Sequence, residues 1–421
     1  MPSQFTREER VMFDNMVEGF DDSLVIAKGA ELYTPPSAQD MVRLGDKFWL
    51  EAPMISASFD GFDQTSNFGD MTDMAVPVTI GYHKSVPKKL SAKDRRNQYT
   101  LDKFGRAAKQ KLASDINFSL FQTVALQGSV FVKRTVAPTG YDDISLADAA
   151  FTEIGVGNDD RMAFLAPRVA NAMAGDLAKR STFSGEVQDA YSRARVGIDI
   201  AGFDVYKSDQ SIRLASAAGG ATTVNGANQY WEPKATTTAA TGETENVDNR
   251  YSQLVVTSAN YAGIKVGDAF TIAGVNSIHM ITKQDTGQLQ TFRVVGKPSA
   301  NTILVAPAII SNGGSTSAGS EYKNVSATPA NGAAITWLNT TTAELNPFFK
   351  RESLLLVPGS FAVEPEDGWA VMSATTDLGI NITYVRQGEI NDLSAKVRWD
   401  ADWGTALTNP QLAGVEMFGQ A

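Results

Sequence analysis

The chain has 421 residues, of which 43% are hydrophobic and 20% charged, a composition typical of a folded protein of two to four domains. It has no cysteine and two histidines, which excludes disulfides, thiolate chemistry and Cys-ligated metals, argues against a multi-histidine metal site, and predicts no cofactor. The formal net charge is −10. The sequence contains no run of about 18 apolar residues, which a membrane-spanning helix would require. The N-terminus lacks the apolar core of a signal peptide, so we expect a soluble cytoplasmic protein.

Charge is distributed unevenly along the chain. Residues 1–83 carry 14 acidic and 5 basic side chains, whereas residues 84–111 carry 10 basic and 2 acidic ones. Opposite charges of this kind would attract one another between copies of one chain, although solvated faces of a monomer are the commoner explanation. A nucleic-acid interface is less favoured, because the whole chain is acidic and the basic segment has few aromatic residues.

The first thirty residues are predicted to form a helical arm. Apolar residues recur near helical spacing between Phe5 and Phe20. Asp14 and Glu18 are one helical turn apart, so we expect them to share a face. The two prolines at residues 35–36 end any helix that precedes them.

An extended loop is predicted between two alternating segments, residues 47–51 and 76–83, which are expected to be strands. The loop is rich in Gly, Asp and Ser, yet it carries five large apolar residues: Phe59, Phe62, Phe68, Met71 and Met74. Such residues are unfavourable on a projecting loop of a monomer but favourable if they dock on a neighbouring copy. We expect docking, and folding back onto the same domain is the alternative.

A long helix is predicted from about residue 90 to residue 126. This stretch contains no proline and one glycine, Gly105, and Ser91 with Asp94 has capping-box spacing. At 1.5 Å per residue the helix would be roughly 55 Å long, which is unusual for a globular protein. We interpret it as a structural spine.

A small inserted β-barrel is predicted further along the chain. Before it lies a mixed region, in which Ser145 and Asp148 are expected to cap a short helix. Between about residues 210 and 343 the sequence is rich in Thr, Ala, Gly, Ser and Asn, and short strands alternate with turns. Strands are expected at residues 253–257, 269–272, 291–295 and 302–305. Afterwards α+β character returns, and residues 395–403 alternate apolar and charged side chains over nine positions, which predicts a strand.

Motifs that carry chemistry are mostly absent from the sequence. It has no Walker A loop, dinucleotide fingerprint, zinc-protease motif or nucleophile elbow. His83 is expected at the surface, and His279 is expected to be a satisfied barrel side chain rather than a base. Adjacent acids such as Asp142 and Asp143 are better explained by helix caps and turns than by catalysis. A carboxylate-based glycan-acting enzyme with an accessory β-domain stays open as the alternative function.

Several short motifs occur in a fixed order along the chain. They are AELYTPP at 30–36, AGFD at 201–204, VDNRY at 247–251, GIKVGD at 263–268, AGV at 273–275, WG at 403–404, NP at 409–410 and AGV at 413–415. Together with the order of the predicted elements, they resemble the major capsid (coat) proteins of tailed double-stranded-DNA bacteriophages. The chain is most similar to the coat proteins of short-tailed, Salmonella-type phages, a branch that carries an inserted domain.

The resemblance implies an α+β fold, namely the tailed-phage capsid (Johnson) fold with a long spine helix, an extended loop and an inserted β-barrel. The implied domains are an N-terminal arm (1–36), an extended β-hairpin loop region (37–84), the spine helix with part of the peripheral and axial domains (85–210), the inserted β-barrel (211–343), and the remainder of those domains with the C-terminal strand (344–421).

The resemblance also implies a function and partners. The chain would be a non-enzymatic major capsid protein that assembles with a scaffolding protein into an icosahedral procapsid, usually in the seven-class triangulation. This shell expands when DNA is packaged through a portal protein. Its partners would be copies of itself in pentamers and hexamers, the scaffolding protein and the portal, with weak non-specific DNA contact and no membrane. It would assemble in the bacterial host cytoplasm and reside in the virion.

Two surfaces follow from the resemblance. Asp14 and Glu18 match acidic residues of the arm that receive the scaffolding protein in the family, whereas Asn15 stands where the family has an acid, so Asp21 and Asp22 could share the contact. The projecting loop at residues 234–246, with Glu243 and Glu245, resembles a loop that bridges capsomers at two-fold axes. Another virion component, such as a tail or decoration protein, is a third possibility, but those proteins lack the long basic spine.

Overall fold

The computed structural model describes residues 5–34, 47–56, 58, 60–65, 68–69, 71–180, 195–359 and 369–421, with the backbone alone for residues 175–180 and 195–199. The α-helices in these residues are α1 (Arg7–Val17), α2 (Gln98–Gln127), α3 (Tyr141–Glu153), α4 (Pro167–Arg180) and α5 (Ser317–Glu321). The strands up to the barrel are β1 (Glu31–Leu32), β2 (Lys47–Glu51), β3 (Ala75–Ser91), β4 (Val130–Lys133), β5 (Arg161–Leu165), β6 (Arg195–Ile200), β7 (Phe203–Lys207) and β8 (Arg213–Leu214). The next are β9 (Thr222–Val224), β10 (Thr236–Thr238), β11 (Thr244–Asn246), β12 (Ser252–Ser258), β13 (Ala269–Ile278), β14 (Asp285–Ser299), β15 (Thr302–Ala306), β16 (Ala334–Trp337) and β17 (Ala343–Glu344). The last are β18 (Asn346–Lys350), β19 (Leu354–Pro358), β20 (Ala370–Thr375), β21 (Asn381–Glu389), β22 (Ser394–Leu407) and β23 (Ala413–Met417).

The chain divides into two compact units. The first consists of Met1–Phe48, Val78–Phe121 and Leu354–Ala406. The second consists of Trp49–Pro77, Gln122–Ser353 and Leu407–Ala421. Each unit is therefore built from segments that are distant in the sequence.

The first unit contains a twisted sheet in the order β1-β19-β22-β21-β20, with β3 antiparallel to β22. The strand predicted at residues 395–403 is confirmed as the centre of β22. Its side chains alternate, with Trp399 and Trp403 fully buried on one face and Lys396 and Arg398 exposed on the other. The Trp403 Nε1–H donates to Ser119 Oγ of α2 at 2.9 Å, which satisfies the polar end of a buried ring.

Helix α1 packs on this sheet through its apolar face. Thr6 and Glu9 form a capping box at its start. The Phe13 ring stacks on Trp399 with ring centroids 5.6 Å apart. The helix ends before Gly19, whose φ of +64° lies in the left-handed region that favours glycine. Within residues 5–34 the helical arm is thus shorter than predicted, because it continues beyond residue 17 only as isolated 3₁₀ turns.

Helix α2 is the predicted spine, but it begins eight residues later than expected. Residues 84–91 continue β3, because they pair with β22 as far as Ser91 opposite Ser394. The predicted capping box does form, since Ser91 N–H and Oγ–H both donate to the Asp94 carboxylate. It closes a 3₁₀ turn at Asp94–Arg96 rather than the helix. Strand pairing between distant residues therefore overrides the local helical pattern.

A close approach explains the single glycine of α2. A Cβ atom on Gly105 would lie 3.1 Å from Met12 Cγ of α1, so both belong to one tight helix crossing in the first unit. The buried side of α2 is formed by Leu101, Phe104, Ala108, Leu112, Ile116 and Leu120.

The second unit contains a mixed sheet in the order β4-β23-β18-β5-β7-β6. An aromatic cluster packs between this sheet and α3. Phe151 of α3 lies 4.9 Å from Phe348 and 5.8 Å from Phe203, measured between ring centroids. All three rings are buried, and they form the centre of this core.

The predicted cap of α3 is wrong. The helix starts at Tyr141, and Asp143 caps it by accepting the backbone N–H groups of Thr139 at 2.6 Å and Gly140 at 3.0 Å. Ser145 lies inside the helix, where its hydroxyl donates to the Asp142 carbonyl. The helix therefore begins one turn before Ser145, and the buried Asp143 in its first turn closes it by accepting the N–H groups that precede the helix.

The inserted β-barrel is confirmed. Strands β12-β15-β14-β13-β16-β9 close into an antiparallel barrel, and the four strands predicted from the sequence lie within β12, β13, β14 and β15. Its interior is filled by Leu254, Val256, Phe270, Ile272, Phe292, Val294, Ile303 and Val305. The short pair β8–β17 brings the two ends of the insertion together, with Leu214 opposite Ala343. Among the described residues, no helix is both long and apolar enough to span a bilayer.

Candidate assembly surfaces

The two carboxylates predicted to receive the scaffolding protein lie at the end of α1. Asp14 and Glu18 are both exposed, and the Glu18 N–H donates to the Asp14 carbonyl at 2.8 Å. The two other acids are engaged within the chain. Asp21 accepts the backbone N–H of Leu378 at 3.0 Å, and Asp22 pairs with Lys28 at 3.2 Å. Asp14 and Glu18 are thus more available to a partner than Asp21.

A buried ion cluster anchors α1 to the first unit, and the sequence reading missed it. The Glu9 side chain is fully buried. Its Oε2 accepts from Arg386 Nη1 at 2.6 Å and from the Thr6 N–H at 3.0 Å, and its Oε1 lies 3.4 Å from Arg95 Nε. The local signal was the capping-box glutamate, but its two arginine partners lie about 90 and 380 residues away along the chain.

The extended loop has a fixed base and an exposed tip. At the base, the Ala52 N–H donates to the Met74 carbonyl at 2.8 Å. Ile55 and Met74 pack against a barrel cluster that consists of Ala308, Ile310 and Tyr322. At the tip, Phe62 and Phe68 are exposed almost completely and Met71 by 65%. Phe59 lies outside the described residues.

The alternative of folding back therefore applies to one part of this loop and not to the other. Met74 folds back onto its own unit, as the second alternative has it, whereas Phe62, Phe68 and Met71 do not. The sequence could not separate them, because the same residue types occur in both parts. Docking of the tip on a neighbouring copy stays a prediction.

The projecting loop at residues 234–246 forms an antiparallel hairpin of β10 and β11. Thr237 lies opposite Glu245, and Thr238 lies opposite Thr244. Both strands are exposed along their length, and Gly242 at the turn has φ +88° with open space around it. Glu243 and Glu245 are exposed, as expected for an outward contact.

The base of this hairpin is held by the buried Asn249. Its Oδ1 accepts from Trp231 Nε1–H at 3.0 Å and from the Lys234 N–H at 3.1 Å, and its Nδ2–H donates to the Lys234 carbonyl at 2.8 Å. The amide thus closes the loop at the point where it leaves the barrel. This asparagine is part of the VDNRY motif, so the motif has a structural role at the hairpin base.

The barrel is fixed within its unit by Arg293. Its side chain is fully buried, and Nη2–H donates to the Ala125 carbonyl at 2.7 Å, near the C-terminal end of α2. The guanidinium lies 5.5 Å from the Phe131 ring centroid. Burial lowers its pKa to about 10, partly offset by the negative charge of Asp268. A cation at the negative end of the helix dipole is favourable.

A second buried charged cluster lies under β23. Arg134 donates to Asp143, and Glu416 is buried beside them with Oε1 lacking a hydrogen-bond partner. Burial raises the pKa of Glu416 well above its usual value, and the Asp143 charge raises it further. All five residues of β23 are buried, so the Glu416 carboxyl is buried together with its strand.

An open groove of about 600 Å³ lies on the exposed face of the first unit's sheet. The groove is lined by Trp369, Val385 and the side chains of Lys89 and Lys396. Among the described lining residues, Asp400 supplies the carboxylate. Asp400 is buried and accepts from Arg398 Nε at 2.6 Å and Nη2 at 2.5 Å. This carboxylate is neutralised by its own chain, and the groove lacks the pair of acids that glycoside hydrolysis requires.

The two histidines have the predicted roles. His83 is half exposed, with Nε2 3.5 Å from Asp400 Oδ1. His279 Nδ1 accepts the N–H groups of Ile281 and Thr282, both at 3.2 Å, so it caps a turn. Within the described ranges, no group of three or more His, Asp or Glu residues is arranged to hold a metal ion.

Comparisons with known proteins agree with the resemblance read from the sequence. A family model described as "P22 coat protein - gene protein 5" matches residues 1–419. Among solved structures, one titled "CUS-3 coat protein I-domain" is 39% identical, covering 30% of this chain and 99% of that chain, with a TM-score of 0.23. "Mycobacterium phage Che8" is 12% identical, covering 93% and 90% of the two chains, with a TM-score of 0.42. "Capsid structure of the Cyanophage P-SCSP1u" is 10% identical over 93% and 86%, with a TM-score of 0.44.

Proposed function

The chain belongs to the P22 coat protein family, and from that premise we propose that it builds a phage head by scaffold-directed assembly followed by expansion. As a member of this family it is a phage major capsid protein, and copies of it self-assemble into the capsid of the virion. The proposal adds the scaffolding protein, the portal, assembly in the host cytoplasm and expansion on DNA packaging. The alternatives of a glycan-acting enzyme and of a tail or decoration protein gain no support from the family match.

The observation that carries the proposal is the exposed tip of the extended loop. Phe62 and Phe68 are large aromatic residues that contact little of their own unit, whereas Ile55 and Met74 hold the base of the same loop. Exposed aromatic residues on a fixed base favour a docking role. The tip is also acidic, with four aspartates and no basic residue between residues 60 and 73. A neighbouring copy with a basic surface would therefore suit it.

In a shell, each contact between two copies of the chain should be weak on its own. One chain must occupy several slightly different environments, and hundreds of copies amplify each contact by multivalency. Expansion would be a rigid-body switch between two packings of the same contacts. The net charge of −10 also fits a shell that must release its DNA, because an acidic surface does not hold phosphates.

The scaffold contact is proposed for Asp14 and Glu18, which are exposed and free of the ion pair that engages Asp22. Charge reversal by Asp14→Lys with Glu18→Lys should abolish assembly directed by the phage's scaffolding protein, while the circular dichroism of the monomer stays unchanged. A matched control reverses two exposed acids elsewhere, Glu153→Lys with Asp209→Lys. Normal procapsid yield from the first variant, or equal losses in both, would contradict the scaffold assignment.

Electron microscopy of the overexpressed full chain tests the function as a whole. A coat protein should give closed shells or polyheads, because its contacts are complementary between copies. A chain that stays monomeric at high concentration, both alone and with scaffolding protein, would refute the proposal.

A further inference from the structure

Three asparagines of the chain, Asn225, Asn312 and Asn331, are each followed directly by a glycine. We propose that Asn312 is a self-modifying site, at which the backbone nitrogen of Gly313 attacks the side-chain amide and converts the asparagine into a mixture of aspartate and isoaspartate. The modification does not depend on the proposed function. It assigns a covalent reaction to the turn between β15 and α5.

The reaction needs a residue without a side chain after the asparagine, because the backbone nitrogen must come close to the side-chain amide. A bond forms between the Gly313 nitrogen and Asn312 Cγ, and the bond between Cγ and Nδ2 breaks. Nδ2 leaves as ammonia and takes up the proton of the Gly313 N–H. Water then opens the cyclic imide at one of its two carbonyls. One opening gives aspartate, the other gives isoaspartate, and neither requires an oxidant or a reductant.

Hydrogen bonds protect the attacking nitrogen at two of the three sites. The Gly226 N–H donates to Asn331 Oδ1 at 2.9 Å. The Gly332 N–H donates to the Val224 carbonyl at 2.8 Å. A nitrogen held in this way must first give up its bond, which lowers its availability by a factor of roughly five. Asn225 and Asn331 should therefore react slowly in the folded chain.

The corresponding groups at Asn312 are not engaged. Within the described part of the chain, the Gly313 N–H has no acceptor, and Asn312 Oδ1 is buried without a hydrogen-bond partner. The Asn312 carbonyl accepts the Ser315 N–H at 3.1 Å, so the turn itself is formed. Residues 313–316 are exposed, which gives water access to the imide. The turn thus leaves both the attacking nitrogen and the side-chain amide available for reaction.

A carboxylate without a partner lies beside this turn. Glu232 is half-buried, and a Cβ atom on Gly314 would overlap its Oε1, so the carboxylate contacts the backbone of the turn. Among the described residues, no hydrogen bond or ion pair engages this carboxylate. A carboxylate in this place can accept the proton of the Gly313 N–H, directly or through one water, as a general base does. Glu232 is therefore placed to promote the attack.

The product would disturb the base of the projecting hairpin. The Tyr230 ring packs on Gly313, where a Cβ atom would lie 2.7 Å from the ring. The following residue, Trp231, donates its Nε1–H to Asn249, the residue that closes the hairpin base. Isoaspartate inserts one more methylene into the main chain beneath the Tyr230 ring. Modification of Asn312 should therefore loosen this packing.

Peptide mass spectrometry of the unassembled full-length chain tests the assignment. The chain is incubated in mildly alkaline buffer made with heavy-oxygen water and then digested in ordinary water, so that each opened imide carries the label. Asn312 should acquire the label at least several-fold faster than Asn225 or Asn331. In urea the three sites should react at similar rates, because each asparagine is followed by glycine. Equal rates in the folded chain, a faster reaction at either other site, or the same ranking in urea would overturn the proposal.

Two substitutions test the structural reasons separately. Asn331→Ala removes the acceptor of the Gly226 N–H, so Asn225 should react several-fold faster while Asn312 keeps its rate. An unchanged rate at Asn225 would refute protection by that hydrogen bond.

Glu232→Gln should slow the reaction at Asn312 several-fold and leave Asn225 unchanged. The rate at Asn312 should also depend more steeply on pH in this variant, because hydroxide then replaces the carboxylate as the base. Glu232→Asp, which keeps the carboxylate, should retain part of the rate. Unchanged rate and pH dependence in Glu232→Gln, or an equal loss in Glu232→Asp, would refute the role of Glu232 as the base.

Discussion

Replacing the buried Glu9 by glutamine should destabilise the first unit strongly. The substitution keeps the size of the side chain but removes its charge. Arg386 then loses an ionic partner at 2.6 Å, and Arg95 loses one at 3.4 Å. Removing one member of a buried ion pair typically costs about 3–5 kcal/mol, because the remaining charge is left uncompensated. The Arg95 and Arg386 side chains are 28% and 16% exposed, so water solvates them partly and we expect the lower end, about 3 kcal/mol.

Urea unfolding of the full chain, followed by tryptophan fluorescence, measures this loss. Trp399 reports on α1 directly, because Phe13 of that helix stacks on it. The matched control is Glu18→Gln, an exposed carboxylate near the same helix, which should change stability by less than about 0.5 kcal/mol. A loss below about 1 kcal/mol for Glu9→Gln, or a loss equal to the control, would refute the view that the cluster anchors α1.

Three further outcomes are expected. Burial raises the pKa of Glu416 above its unfolded value of about 4.5, so its contribution to stability is present at low pH and is lost as the pH rises through the folded pKa. Glu416→Gln should therefore raise the unfolding midpoint at pH 7 and change it little near pH 4; an equal change at both would contradict this. Gly155→Ala should cost more than Gly287→Ala in thermal unfolding, since both have positive φ but only the Cβ at Gly155 would meet a ring, that of His279 at 2.5 Å. Phe68→Ser should leave the unfolding midpoint unchanged and lower particle yield, and normal yield would argue against docking of the loop tip.

Local patterns in the sequence predicted most elements of the fold. The alternation around Trp399 predicted β22, and the Thr- and Gly-rich stretch after residue 210 predicted a barrel whose strands were placed almost correctly. Both patterns depend on periodicity over a few residues, which the burial of one face imposes directly. The order of short motifs, rather than any single one, indicated the coat protein family, which the family match confirms.

Predictions that depended on distant partners were less accurate. The helix was expected to start near residue 90, but residues 84–91 pair with β22, which is some 300 positions away. Ser145 was expected to cap a helix that Asp143 caps instead. The pairing of β3 with β22 is a contact of tertiary origin, and it outweighed the local helical preference. The cap of α3 differs for a local reason, because Asp143 accepts from Gly140, which is only three residues away.

The candidate assembly surfaces show the same difference between what local patterns predict and what contacts between distant residues decide. The sequence by itself determined that Asp14 and Glu18 are acidic and that the extended loop is aromatic, whereas the projection of residues 234–246 from a barrel was implied by the resemblance to the coat protein family. Only the tertiary structure decided that Asp21 accepts the backbone N–H of Leu378 and that Met74 packs inward while Phe68 does not. It also decided that Thr236–Thr238 form one strand of an exposed hairpin. The physical reason is that composition fixes what a side chain can contact, whereas exposure and partners depend on residues brought together from distant parts of the chain.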